Sequence, residues 1–186
     1  MSFSVKPSSD FWIIGYGNPQ RRDDGIGPYI VNRLQPFFKQ RNDVHLLVLH
    51  QLEPDIIDSL KTADTLVFVD ASVEALPEGR HWVEVQPEFN TMPFLIHESA
   101  PAFILGLLQC LYHRHPKVWM VSVEGKDFGF GNGLSSDARK RAMLVIGELT
   151  KFILTEAAEK DSITWIKLKS EARNTKQYQN PNVQIL

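Results

Sequence analysis

Cysteine is almost missing from this chain. Cys110 stands alone and no CxxC pair occurs, so no internal disulfide can form and a reducing, cytoplasmic compartment is expected. No apolar run approaches the roughly 18 residues of a membrane span, and the opening MSFSVKPSSD lacks the apolar centre of a signal peptide. Neither sign of charge dominates: 20 Lys and Arg against 22 Asp and Glu leave a net −2. That balance argues against a nucleic-acid or anionic-membrane partner. Several catalytic signatures are also missing. There is no GxSxG elbow, no HExxH and no GxxxxGK, and GYGNPQ lacks the third glycine of a dinucleotide fingerprint. Cys110, among Leu107, Leu108 and Leu111, reads as a small buried hydrophobe rather than a nucleophile.

What is present is alternation. The 186 residues, 43% of them hydrophobic, suffice for one domain with a continuous core. Short apolar runs at 11–14, 45–49, 66–69, 80–85 and 117–123 read as strands, the fourth of them at a sheet edge. The run at 66–69 has no polar alternation, as suits a parallel strand covered on both faces. Between them lie helical periods. The first carries Ile26, Tyr29, Ile30, Leu34 and Phe37, with Pro28 in its first turn. Residues 53–60 give a short helix, and 101–112 a helix capped by Ser99 with Phe103, Leu107 and Leu111 inward. A glycine-rich loop, EGKDFGFGNGLSS, then leads into a long helix with Ala142, Ile146, Leu149 and Ile153 on one face. The pattern predicts a three-layer α/β/α domain with a mainly parallel twisted sheet over residues 1–160. Residues 161–186 read as an extension in which ITWIKLK forms an added strand and 170–186 are disordered.

In such sheets ligands gather beyond the carboxyl ends of the strands. Asp23 and Asp24 follow the first strand, Asp70 follows the third in TLVFVDAS, and His97 in LIHESAPAF precedes a helix that a right-handed crossover brings to the same edge. Two carboxylates and an imidazole are a chemically sound metal-ligating set. Each also has an ordinary reading. Asp23 reads best as the cap of the helix it precedes. Asp70 can cap a turn as readily as bind a ligand. A lone loop histidine is often incidental, and the other five histidines show no such convergence.

GYGNPQRRDDGIGPYIVNRL, then VFVDAS, then the histidine of HESAPAFILGLL, then VSVEGKDFGFGNGLSS, in this order, resemble the [NiFe] hydrogenase maturation proteases over about residues 11–155. That resemblance implies an endopeptidase that removes a short C-terminal extension from a hydrogenase large-subunit precursor. Cleavage would follow a basic or histidine residue near the nickel-binding cysteines. It further implies that Asp24, Asp70 and His97 contact nickel already inserted in the precursor, so the metal is carried by the substrate. No organic cofactor is implied, and the enzyme is expected to act as a monomer. The attacking group is expected to be water, with Asp23 an alternative base. Glu98 and the long tail depart from the usual pattern. A metal-dependent hydrolase of a small molecule, or a non-catalytic nickel-site chaperone, would use the same three side chains.

Overall fold

The computed structural model describes residues 10–87 and 100–177. Its elements follow the order β1 (Phe11–Tyr16), α1 (Ile26–Phe38), β2 (Val44–Leu49), α2 (Ile57–Leu60), β3 (Thr65–Ser72), β4 (Arg80–Glu84), α3 (Ala100–Tyr112), β5 (Lys117–Glu124) and α4 (Ser136–Gln177). Short 3-10 turns at Arg22–Gly25, Pro54–Ile56 and Pro77–Gly79 join some of them.

The sheet has the order β2-β1-β3-β5-β4. Four strands are parallel, and β4 closes one edge antiparallel to β5. Between β1 and β3 the winding reverses: β1 leads outward to β2, whereas β2 returns across β1 to β3. That is a topological switch point, where the loops leaving neighbouring strands part and open a crevice at their carboxyl ends.

Each sheet face has its own core. Ile13, Val67, Val69, Val121 and Val123 meet α1 and α4 through Ile26, Ile30, Leu34, Ala142, Ile146, Leu149 and Ile153. On the other face Ile14, Leu66, Phe68 and Val118 meet α2 and α3 through Ile57, Leu60, Ile104, Leu105 and Leu108. The three-layer α/β/α architecture expected from the alternation is therefore present.

Some local expectations are corrected. In α1 it is Phe38 that turns inward, while Phe37 is 64% exposed. In α3 the buried side chains are Pro101, Ile104, Leu105 and Leu108, and Leu111 and Cys110 are exposed. The helix is apolar nearly all round, so composition gave no direction; Cys110 lies two residues, about 200°, from Leu108 and so faces away from the sheet. ITWIKLK is helical, because α4 continues unbroken to Gln177. Between Ser136 and Gln177 there is no proline and a single glycine, Gly147, so nothing breaks the helix. Ser99 and residues 178–186 lie outside the described residues. No helix among the described residues is long and apolar enough to cross a membrane.

Candidate functional site

The loop after β1 is built by short polar contacts. Gly17 turns the chain with φ 128°, and a Cβ there would lie 2.0 Å from the Asp24 carbonyl oxygen, so only glycine fits. The Asn18 amide donates to Asp24 Oδ2 at 3.0 Å, and Asn18 Oδ1 accepts from the Gln20 amide at 2.9 Å. Gly27, at the start of α1, lets the helix rest directly on the sheet: a Cβ on it would lie 2.4 Å from the Val69 carbonyl oxygen and 2.5 Å from that of Tyr16.

Asp23 corrects the sequence reading. It does not cap α1, whose cap position is Gly25 with no side-chain bond. Its carboxylate is fully buried and binds the glycine-rich loop 103 to 112 residues away. Oδ2 accepts from the amides of Lys126 at 2.9 Å and Asp127 at 3.0 Å and from the Ser135 hydroxyl at 2.8 Å, and Oδ1 accepts from the Ser135 amide at 2.7 Å. Burial alone would raise its pKa, but the Lys126, Ser135 and Asp127 amides and the Ser135 hydroxyl outweigh burial and hold it below the usual carboxylate range. Ser135 in turn accepts from the Ala138 amide at 3.3 Å, capping α4. Backbone bonds complete the seam, with Gly131 N–H to Gln20 O at 2.8 Å and Asp23 N–H to Asp127 O at 2.9 Å. Asp23 is thus the clasp between two loops, a fully buried carboxylate engaged by four donors and closed to solvent.

Asp24 and Asp70 are brought together at the switch point. Asp70 is not beyond its strand but within it, since β3 extends to Ser72 by pairing Ala71 and Ser72 with Val123 and Glu124. It shares a face with Leu66 and Phe68, toward α3. Its carboxyl is raised to about 7, chiefly by burial; the Ala71 amide at 2.7 Å opposes the rise, the Asp24 charge adds to it, and the Tyr16 hydroxyl lowers it. The Asp24 charge is close enough to act on Asp70, so the two carboxylates sit together at this edge.

Tyr16 was not singled out in the sequence. Gly15 pairs with Val69 in the parallel ladder, so the following residues, Tyr16 and Asp70, project side by side on one face. Its hydroxyl faces the Met120 sulfur at 3.8 Å and the Asp70 carboxylate, and is pushed far above the usual phenol pKa by burial and then by that neighbouring charge. Sulfur is a weak acceptor, so the proton belongs with Asp70. Only the adjacency of β1 and β3 reveals this pair, and no local motif encodes it.

His97 and Glu98 lie outside the described residues. Among the described residues no cluster of three or more His, Cys, Asp or Glu could hold a metal ion. Two carboxylates alone leave most positions of an ion open to other ligands.

No family model matches the sequence, and no curated protein does. Solved structures match its fold. The [NiFe] hydrogenase maturation protease HycI from Thermococcus kodakarensis KOD1 superposes with a TM-score of 0.62 at 20% identity, over 80% of this chain and 94% of that one. The hydrogenase maturating endopeptidase HybD from E. coli gives 0.59 at 19% identity, over 75% and 88%. The maturation protease HybD from Thermococcus kodakarensis gives 0.56 at 18%, over 76% and 97%. The chain shares its fold with these proteins.

Proposed function

We propose that this protein is an endopeptidase that trims the C-terminal extension of a [NiFe] hydrogenase large-subunit precursor once nickel has been inserted, meeting the substrate-bound nickel with Asp24, Asp70 and His97. The observation that carries the reading is the pairing of Asp24 with Asp70 at the switch point, in a fold shared with maturation proteases. Chain direction supports the third member. The end of α3 is tied to the amino ends of the strands, with Tyr112 Oη donating to Asp58 at 3.1 Å and Arg114 to Asp64 at 3.1 Å. The start of α3, three residues after His97, therefore points to the carboxyl edge that carries both acids.

Chemistry favours the same assignment. Two anionic oxygens and a neutral imidazole match the open positions of a nickel ion already held by cysteine thiolates, so an unloaded precursor loses most of its attraction for the site. Water adds to the scissile carbonyl, and the C–N bond then breaks with a proton passing to the departing amine. The substrate's metal polarises the carbonyl or orients the water. Asp23, buried and engaged by four loop donors, holds the site together rather than serving as the base.

The test is incubation with nickel-loaded and nickel-free precursor, followed by intact mass measurement. The loaded precursor should lose a C-terminal peptide and the nickel-free form should remain whole. Equal shortening of both forms would reject nickel recognition, and an intact loaded precursor would reject the endopeptidase.

A further inference from the structure

Beside the carboxylate crevice, on the α1 and α4 side of the Arg22–Gly25 turn, runs a trough with a distinct character. Pro19, Pro28, Tyr29 and Leu134 line one part of it, and Leu134 and Met143 continue it along α4. Its charged lining residues are Arg22, Arg139 and Lys140, with no acid among them. A fourth cation, Arg33, stacks over Tyr29 at 5.3 Å. In a chain of net charge −2 this is a local reversal of sign.

Internal contacts do not account for these cations. Arg139 has no ion-pair or side-chain hydrogen-bond partner among the described residues, and Lys140 reaches Asp137 only at 3.5 Å on an exposed helix surface. Arg22 pairs with Asp127 at 3.2 Å, both side chains 45% exposed, a weak arrangement in solvent. Arg139 and Lys140 are the fourth and fifth residues of α4, both exposed beside the glycine-rich loop. Met143 is 52% exposed on the same stretch. Exposed cations held by weak contacts or none, over an apolar floor, suit a partner that is acidic and partly apolar.

We propose that this trough docks an acidic, apolar-containing segment of the protein substrate, holding the precursor while its C-terminal extension enters the crevice. The inference rests on the endopeptidase reading. Charge complementarity at such a rim acts mainly on encounter and ground-state binding, so it should appear in KM and leave kcat alone.

The experiment compares wild type with Arg139→Glu/Lys140→Glu, using loaded precursor. Both positions are exposed on the helix surface, so folding is retained, and Lys151→Glu, two turns or more further along α4, serves as a charge control. KM should rise about tenfold in the double variant with kcat unchanged, and added salt should raise the wild-type KM more than the variant's. Direct binding of loaded precursor is measured in parallel. An unchanged KM and affinity, or an equal loss in Lys151→Glu, would overturn the docking site. Wild-type binding without cleavage, weakened by the double substitution, would reject the endopeptidase and keep the surface. Absence of both binding and cleavage would reject both. Capture of an oligonucleotide through these same residues, with no effect on precursor, would also overturn the proposal.

Discussion

Asp23 and Asp24 are adjacent yet have opposite surroundings. Asp23 faces four donors and no solvent, whereas Asp24 accepts one amide, from Asn18, and turns toward Asp70. Asp23→Asn places an NH2 group against amide donors, which should cost on the order of 3 kcal/mol. Urea unfolding would read that loss, and activity should fall only through it. Asp24→Asn should keep stability near wild type while precursor processing drops about a hundredfold, because on the proposed site a ligand charge is gone. Equal stability losses in the two variants would contradict this division. Sequence showed that two acids stood in the loop, but not which way each one faced. The partners of Asp23 lie more than 100 residues away, so its cap-like spacing before α1 pointed to the nearer, wrong helix.

At the level of elements, the edge strand β4 depends on α4. Glu148 accepts from Arg80 Nε at 2.7 Å and from Trp82 Nε1 at 3.1 Å, while Trp82, Trp119 and Phe152 form a ring cluster with centroids 5.7 to 6.4 Å apart. Glu148→Ala strips two donors of their acceptor at once, for a loss of about 2 kcal/mol. Amide exchange should quicken in β4 and stay unchanged in β1 and β3, whose ladders do not involve Glu148; uniform quickening would show that the contact stabilises the sheet as a whole. Strands and helix order were legible because hydrophobic period alone encodes them. The inward face of α3 was only partly so: Leu107 packs against the core as expected, but Leu111, as apolar as Ile104 and Leu108, is exposed. The length of α4 was hidden as well: Ile163, Trp165, Ile166 and Leu168 resemble a strand locally, and only continuity from Ser136 makes them helical.

Across the whole molecule, the proposed site would join stability and activity through Asp70 at the carboxyl edge. Its folded carboxyl titrates near 7 against an ordinary 3.8, so between these values the folded chain keeps a proton that the unfolded chain releases. Stability from this group is therefore complete below about pH 4 and is lost as pH rises to about 7. Activity should run the other way. Contact with a cation requires Asp70 ionised and, on the proposed site, His97 neutral, and an imidazole ordinarily titrates at about 6.5. The precursor's kcat/KM should then fall below pH 7 with a slope steeper than one proton, while kcat, measured with metal already in place, holds to lower pH. His97→Ala in a folded protein should abolish processing, and Asp70→Asn should remove the loss of melting temperature between pH 5 and 8 along with the activity. The comparison that matters pairs thermal melts with kinetics on the same samples. A wild-type protein whose melting temperature rises steadily from pH 5 to 8, matched by an Asp70→Asn variant with the same slope, would mean that Asp70 titrates as an ordinary carboxylate and that the crevice imposes no cost for a substrate's metal to relieve.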